Sequence, residues 1–359
     1  MRTHSPTRRS SGSSTSAPAP TRTASRSSVP NPQPIFEMQF SLVPARILAT
    51  AVQLELFSRL ADGAKTVAEV ARAAHTSERG TRMLLDALAA IQLIAKSNGR
   101  YRLSPLAAEF LVKERPNYVG WMMERDEMWQ AWSRLPEAVQ TGKPLRQVEQ
   151  ESEAAAFFPW LVRSLHIMNR EPAHRSATAL VGTGKRTSGL RVLDVACGSG
   201  VWGIAIAQTD RRARITAHDF STILPITREY VEREHLSDRF EYLEGNLKTV
   251  EFGQNTFDLA ILGNIVHSEG AASSRALFRR LHRALAPGGR IAIVDMLPNP
   301  DRSGPPFPVF FALIMLLNTY EGDTYTLPEY TRWLTETGFD NVTTTDIGSH
   351  SPLIIAVRR

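Results

Sequence analysis

Residues 190–203 read Leu-Arg-Val-Leu-Asp-Val-Ala-Cys-Gly-Ser-Gly-Val-Trp-Gly. The first half, residues 190–196, is short, apolar and rich in β-branched side chains, which is typical of a strand buried on both faces. Gly198 and Gly200 then turn the chain, and residues 201–208 have helical character. Strand, turn and helix predict the first crossover of a parallel α/β sheet, with glycines where a ligand approaches bare backbone at the positive end of a helix.

The glycine spacing of this turn occurs in more than one kind of loop. Gly198, Gly200 and Gly203 also fit a dinucleotide-binding loop or an ordinary tight turn. Asp194 favours a different interpretation, because it stands in the strand where a dinucleotide loop usually has an apolar residue. The stretch Asp-Val-Ala-Cys-Gly-Ser-Gly closely resembles the first motif of class I S-adenosylmethionine-dependent methyltransferases. The resemblance implies a Rossmann-like domain that binds this methyl donor through Asp194, Gly198 and Gly200.

The alternation of strands and helices continues to the C-terminus. Helical patterns occupy residues 275–285 and 327–338, between apolar runs of β character. The Ala-Pro-Gly-Gly turn at residues 286–289 resembles the turn before the fifth strand in the same family. We therefore expect an α/β fold with a seven-stranded, mostly parallel sheet. Its strands are predicted at residues 190–196, 214–218, 240–243, 257–262, 290–296, 341–346 and 353–357.

The N-terminal segment predicts three helices followed by a small hairpin, which is the order of a winged helix. Thr66 and Ser77 are expected to cap the second and third helices. Asn98-Gly99 is typical of the turn of a hairpin. The helices are predicted at residues 45–60, 67–74 and 78–93, and the hairpin strands at residues 94–96 and 101–103.

Winged helices bind DNA in many proteins, so a DNA-binding regulator is an alternative for this segment. A helix that reads DNA presents Arg, Asn or Gln from its first turns to base edges. The third helix offers Arg79 and Arg82, but apolar residues that suit a core or an interface follow them. Residues 54–57 (Leu-Glu-Leu-Phe) and 101–105 (Tyr-Arg-Leu-Ser-Pro) resemble the N-terminal dimerisation domain of small-molecule O-methyltransferases. This resemblance implies a homodimer.

Composition and charge restrict the partners and the compartment of the protein. The net charge is +6 over 359 residues, but residues 1–34 contain five arginines and no acid, which leaves +1 for the remainder. A body so close to neutral lacks the basic surface that nucleic-acid binding requires, so no nucleic-acid partner is expected. The single cysteine, Cys197, excludes an internal disulfide and fits a reducing compartment, so we expect a cytoplasmic location.

The sequence predicts four segments and no membrane partner. The longest apolar run, residues 309–317, has nine residues, whereas a membrane-spanning helix needs about 20. Residues 1–34, rich in Ser, Thr, Pro and Arg, are predicted to form a disordered tail. The remaining segments are predicted as a winged-helix dimerisation domain (35–115), a helical linker (116–180) and the donor-binding catalytic domain (181–359).

The linker carries many aromatic and methionine side chains and no strand-like run. Such side chains usually form helix cores, yet a segment between two domains is also a common place for a ligand cavity. We expect some of them to line an apolar pocket for a small-molecule acceptor, with Glu127 and His166 as polar candidates. The sequence alone does not separate core residues from pocket residues.

Further candidates for the donor site follow the second, third and fourth strands. Asp219 ends the second strand, where an acid accepts hydrogen bonds from ribose hydroxyls. Phe220, the next residue, can pack on the adenine. The resemblance adds Asn246 and Leu247 beside the adenine, with Asn246 standing where the family usually has an acid. It also adds Gly263, at a position where the family has a lysine.

Two residues are candidates for catalysis of methyl transfer to a hydroxyl. The transfer is an in-line displacement, and a phenol acceptor needs a base that removes its proton. His267 follows the fourth strand, and in the family a histidine at this position deprotonates the acceptor hydroxyl. Asp295, late in the fifth strand, matches a family acid that orients the base, although a strand-end cap is an alternative role. No metal is expected to take part.

The sequence departs from the family pattern around this base. Ser268-Glu269 follow His267, where the family tends to have Asp-Trp. A second family acid falls near Asp323-Thr324 without a clear match. Methylation of carbon, or a non-methylating reaction on the same fold, therefore remain alternatives to O-methylation of an aromatic or polyketide-like small molecule.

Overall fold

The computed structural model describes residues 30–145, 151–184 and 187–359. Most of the predicted tail, residues 1–29, lies outside the described residues. The chain divides into two units, Met1–Ala45 and Arg46–Arg359. The helices are α1 (Gln33–Phe40), α2 (Leu42–Gln53), α3 (Leu56–Arg59), α4 (Val67–Ala73), α5 (Glu78–Ala90), α6 (Pro105–Phe110), α7 (Glu127–Ser133), α8 (Leu135–Thr141), α9 (Glu151–Leu180), α10 (Val201–Thr209), α11 (Leu224–Arg233), α12 (Ala271–Ala284), α13 (Pro306–Asn318) and α14 (Leu327–Glu336). The strands are β1 (Lys65–Thr66), β2 (Ile94–Ser97), β3 (Arg100–Leu103), β4 (Arg191–Val195), β5 (Arg214–Asp219), β6 (Phe240–Glu244), β7 (Phe257–Gly263), β8 (Leu285–Val294), β9 (Phe339–Thr345) and β10 (Leu353–Arg358).

One apolar helical stretch begins the described part of the chain. Gln33–Gln53, which comprises α1 and α2, is long and apolar enough to cross a membrane by length and composition, and 17% of its most apolar window is buried. The expectation that no stretch reaches this length was wrong, because it considered uninterrupted apolar runs and not helices with scattered polar residues. Core helices and N-terminal signal sequences meet the same criterion, so this stretch by itself assigns no membrane location.

Strands β1, β2 and β3 form an antiparallel sheet in the order β1-β3-β2. The predicted turn joins β2 to β3 through Asn98 and Gly99, which have positive φ angles of 49° and 71°. Thr66 and Glu69 each accept the other's backbone N–H, so the predicted cap is a full capping box. The sequence pattern misses β1, because the strand has only two residues and the second, Thr66, is this cap.

The single helix expected at residues 45–60 was wrong. Glu55, in the left-handed region with φ 54°, separates α2 from α3. The break leaves 37% of the surface of Leu54 exposed, while Phe57 and Leu60 are buried. Helical periodicity does not reveal such a break, since Leu and Glu are both good helix formers.

Strands β4 to β10 form a seven-stranded sheet in the order β6-β5-β4-β7-β8-β10-β9. The first five are parallel, and β10 lies antiparallel between β8 and β9. The predicted Rossmann-like fold with a mostly parallel seven-stranded sheet is therefore confirmed. The turn expected at residues 286–289 is an irregularity within β8: Leu285 pairs with Phe257 and Arg290 with Leu259, so the four residues between them are inserted opposite one residue of β7. The fifth strand thus begins at Leu285 and not at Arg290.

Both faces of the large sheet are covered. Val192 and Leu193, neighbours in β4, belong to two different buried clusters, because successive strand residues face opposite sides. The C-terminal half of α9 packs into the cluster of Val192 through Ala173, Ala177 and Leu180. The helix that precedes the sheet is thus part of its core.

The strand order places a crevice at the centre of the sheet. From β4 the chain proceeds to β5 and β6 on one side, and later to β7 and β8 on the other. The connections after β4 and β7 therefore diverge, and open α/β sheets bind ligands at such a point, beyond the carboxyl ends of the strands. The glycine loop follows β4, and His267 follows β7.

Candidate active site

Backbone hydrogen bonds join the glycine loop after β4 to the acid at the end of β5. Gly198, with φ 56°, donates its N–H to Asp219 Oδ2 at 2.8 Å, and Phe220 donates its N–H to Oδ1 at 2.8 Å. Burial raises the pKa of Asp219 to about 6, although these two donors favour the charged form. The structure thus brings Gly198, Asp219 and Phe220 together. Each carboxylate oxygen retains a lone pair for a further donor.

Asp194, in β4, supports the glycine loop by binding the first turn of the helix that follows it. Its side chain is fully buried, and Oδ2 accepts the N–H of Gly203 in the first turn of α10 at 2.8 Å. Burial raises the pKa of Asp194 to about 8. A Cβ atom on Gly203 would lie 2.8 Å from Asp194 Oδ2 and 2.8 Å from Ile215 Cγ2. The third glycine of the motif therefore permits the close approach of the helix to Asp194 and β5.

Trp202 is a residue of this region that the sequence analysis does not single out. It is buried in α10, and a Cβ atom on Gly263 at the end of β7 would lie 1.9 Å from its Nε1. Gly263 is therefore a glycine because the indole occupies the space of a side chain. Gly200 is restricted in a similar way, since φ is 74° and a Cβ atom would meet Thr227 Cγ2 at 2.9 Å. In the sequence, Trp202 stands among Gly198, Gly200 and Gly203. A large side chain within a glycine-rich turn is the signal that could have identified the contact between Trp202 and Gly263.

Asn246 and Leu247 follow β6 and adjoin Asp219 through the backbone. Gly245 donates its N–H to the Asp219 carbonyl at 3.1 Å. Asn246 is exposed, and its Oδ1 accepts the N–H of Lys248 at 2.8 Å, whereas Leu247 is buried. The structure therefore places both residues beside the donor-site candidates. Their contact with a ligand stays a prediction.

The two polar candidates of the linker have different surroundings. His166 of α9 is buried, its Nδ1 lies 2.9 Å from the Ser199 hydroxyl of the glycine loop, and its ring stacks on Tyr230 at 3.8 Å between centroids. Burial lowers the pKa of His166 to about 4, so the ring is neutral near pH 7. Glu127 instead pairs with Arg125 at 2.6 Å. Only His166 reaches the loop.

His267 and Asp295 form a buried pair at the other side of the crevice. His267 lies in a short turn, Val266–Ser268, directly after β7, and Asp295 directly follows β8. His267 Nδ1 lies 2.7 Å from Asp295 Oδ1, and the backbone N–H of His267 donates to Oδ2 at 2.9 Å. An ionised carboxylate only accepts hydrogen bonds, so Nδ1 carries the proton. Among the described residues nothing hydrogen-bonds Nε2, which is left with its lone pair.

Elements from later in the chain contact this turn. Phe311 of α13 meets the imidazole edge-on at 4.8 Å between ring centroids. Asp323 donates its backbone N–H to the His267 carbonyl at 2.9 Å, but its carboxylate pairs with Arg302 at 3.3 Å. Asp323 therefore supports the turn through its backbone, and its carboxylate does not orient the imidazole.

The crevice thus carries two chemically distinct sets of groups. One set offers a carboxylate for hydroxyl donors beside a glycine loop, and the other offers a histidine with a fixed tautomer. Within residues 30–145, 151–184 and 187–359, no group of three or more His, Cys, Asp or Glu side chains is arranged to hold a metal ion. The arrangement suits binding of a ribose-containing ligand and removal of a proton.

Comparisons with known proteins match two parts of the chain. The sequence matches the family models of a methyltransferase domain over residues 192–289 and of an O-methyltransferase dimerisation domain over residues 36–113. It is 29% identical over 333 residues to the tetracenomycin polyketide synthesis 8-O-methyl transferase TcmO of Streptomyces glaucescens. That alignment covers 89% of this chain and 95% of TcmO.

Solved structures share the architecture over nearly the whole chain. A proposed O-methyltransferase from Nostoc punctiforme has a TM-score of 0.81 at 28% identity and covers 92% of this chain and 100% of its own. Human N-acetylserotonin methyltransferase, solved in complex with S-adenosylmethionine, has a TM-score of 0.79 at 22% identity and covers 92% of this chain and 99% of its own. At that lower identity the likeness concerns the fold alone.

Proposed function

This chain belongs to the class I S-adenosylmethionine-dependent O-methyltransferases with an N-terminal dimerisation domain, and we propose that it methylates a hydroxyl of an aromatic or polyketide-like small molecule. His267 is proposed as the general base and Asp295 as its orienting partner. The observation that carries this proposal is the 2.7 Å hydrogen bond between His267 Nδ1 and Asp295 Oδ1. The relative TcmO, named for the O-methylation of a polyketide, supports the acceptor class.

The donor set fits S-adenosylmethionine by its chemistry. Asp219 is a strand-end carboxylate with lone pairs left for ribose hydroxyls, and Gly198 exposes backbone beside it. Phe220, Asn246 and Leu247 are proposed to contact the adenine. When bound, the donor supplies a sulfonium methyl, which the acceptor oxygen takes as the carbon–sulfur bond breaks and a neutral thioether is left.

The residues of the chain then account for the proton. His267 Nε2 accepts the proton of the acceptor hydroxyl, which leaves oxygen with the electron pair that forms the new bond. Asp295 holds the Nδ1–H and stabilises the imidazolium that results. His267 afterwards releases the proton to water, so the base is regenerated for the next turnover. Phe311 lies against the imidazole, and α13 is apolar up to its last residue, Asn318, which limits water around the reacting oxygen.

The pH–rate profile of His267→Gln tests the base assignment. The methylation rate of an accepted phenol should fall by about 10²–10⁴-fold, while donor affinity stays nearly intact. The wild-type rate should rise with pH through a histidine titration, and the variant should lose that limb. His174→Gln, an exposed histidine of α9, is the matched control. Wild-type activity in His267→Gln would contradict the assignment of His267 as the base. A product whose new methyl group is attached to carbon and not to oxygen would favour C-methylation.

We also propose how the protein assembles and where it is located. The match to a dimerisation domain over residues 36–113 supports a homodimer formed through residues 35–115. The domain boundaries after residues 115 and 180, a cytoplasmic location, and the absence of metal, nucleic-acid and membrane partners stay predictions.

A further inference from the structure

The carboxylate of Asp295 accepts hydrogen bonds from other groups besides the imidazole. Oδ1 accepts the His267 Nδ1–H at 2.7 Å and the Met296 N–H at 2.8 Å. Oδ2 accepts the backbone N–H of His267 at 2.9 Å and the hydroxyl of Tyr330 at 3.1 Å. Two backbone amides therefore fix the position of the carboxylate. Among the described residues, the two side chains that donate hydrogen bonds to the Asp295 carboxylate are those of His267 and Tyr330.

Tyr330 is held firmly where it meets Asp295. It lies in the first half of α14, which begins with a capping box between Thr326 and Glu329, and it is completely buried. Its ring packs edge-on against Tyr325 and Trp333, at 6.2 and 5.9 Å between centroids. Burial and the neighbouring carboxylate raise the pKa of the Tyr330 hydroxyl well above its usual range, so the phenol stays a donor.

We propose that Tyr330 is a positioning residue that sets the proton affinity of His267 by taking up charge on the second oxygen of Asp295. Each hydrogen bond to a carboxylate lowers its basicity towards the other donors. Without the phenol, Asp295 would attract the Nδ1–H more strongly and would stabilise the imidazolium more than it does in the wild type. Tyr330 therefore keeps His267 neutral at lower pH and eases release of the proton. The kinetic consequence, but not the electrostatic one, rests on the proposed role of His267 as base.

The other ionisable groups around this pair have partners of their own. Arg302 pairs with both Asp323 and Glu329 at 3.3 Å. Tyr325 donates its hydroxyl to the Glu269 carbonyl at 2.6 Å, and the Glu269 carboxylate bonds the Ser273 hydroxyl and lies 3.9 Å from Lys248 Nζ. Phe311, which faces the imidazole from α13, is uncharged. None of these groups is bonded to the Tyr330 hydroxyl among the described residues, so its removal is expected to leave their contribution to the His267 environment unchanged.

The test compares Tyr330→Phe with Tyr325→Phe. Both variants keep an aromatic ring in the same cluster, but only the first removes a donor from Asp295. The titration of His267 is followed by NMR on histidine-labelled protein, with the signal assigned by its loss in His267→Gln. The midpoint should rise by roughly half a pH unit in Tyr330→Phe and stay unchanged in Tyr325→Phe. An unchanged midpoint in Tyr330→Phe, or equal shifts in both variants, would overturn the proposal.

The pH–rate profile separates this proposal from the proposed function. If both hold, the rising limb of Tyr330→Phe moves to higher pH by the same amount as the NMR midpoint. If the midpoint moves but no variant shows a histidine limb, the base assignment fails and the effect of Tyr330 on His267 stands. A rate that falls equally at every pH, with an unmoved midpoint, shows a merely structural role and rejects the proposal.

Discussion

The two sides of the crevice are held in place by different kinds of hydrogen-bonding groups. On the donor side, Asp219 is held by backbone N–H groups from Gly198 and Phe220, all within 22 residues of sequence. On the base side, His267 is held by Asp295, and Asp295 in turn by Tyr330, 63 residues beyond the histidine. The donor side therefore depends on backbone conformation, whereas the base side adds side-chain hydrogen bonds from distant elements to its two backbone donors. Substitutions should affect donor affinity on the first side and the rate and its pH dependence on the second.

The largest effect is expected from Gly198→Val. A Cβ atom on residue 198 would already contact Val162 Cγ2 at 3.5 Å, and the φ of 56° is one that β-branched residues avoid, so the valine should displace the loop that we propose contacts the donor. Calorimetry with S-adenosylmethionine and with its demethylated product should show no binding, while circular dichroism shows a folded protein. Gly142→Val, at φ 63° with open space around its Cβ, controls for backbone strain alone and should bind normally. Normal donor affinity in Gly198→Val would show that the donor lies elsewhere.

A smaller effect is expected on the base side from Asp295→Asn. The neutral amide has one oxygen and an NH2 group, so it accepts only one of the two backbone N–H donors, and it stabilises the imidazolium less than the carboxylate does. The methylation rate should fall by about 10–10²-fold, less than in His267→Gln, because an orienting partner is lost and not the base. Donor affinity should not change. A fall in donor affinity with an unchanged rate would contradict the division between the two sides.

The smallest effect is a pH dependence on the donor side. Burial raises the pKa of Asp219 to about 6, so the carboxylate is largely protonated at pH 5 and ionised at pH 7. Ribose hydroxyls donate best to the ionised form, so donor affinity should rise with pH through about 6, by up to about tenfold. Isothermal titration between pH 5 and 7 measures this rise. Asp219→Asn should flatten it, and a rise that persists in that variant would contradict the assignment to Asp219.

The sheet and the glycine-loop motif could be predicted because contiguous residues determine both of them. Residues 190–203 contain an apolar strand, a glycine turn and a helix, and each has a local physical signature. The Asn98-Gly99 turn and the Thr66 cap were predicted for the same reason. The break at Glu55 was not predicted, because tertiary packing there overrides the local preference.

Some residues of the candidate site could likewise be predicted from contiguous sequence, whereas others could not. The sequence alone brings out Asp219 and the glycine loop from spacing, and His267 from its place after a strand. The contact of Trp202 with Gly263 and the bond from Tyr330 to Asp295 appear only once the chain is folded. Their partners are separated by dozens of residues and carry no shared spacing. A strand end positions its own residues, but only packing between α14 and the end of β8 can place a phenol on a buried carboxylate.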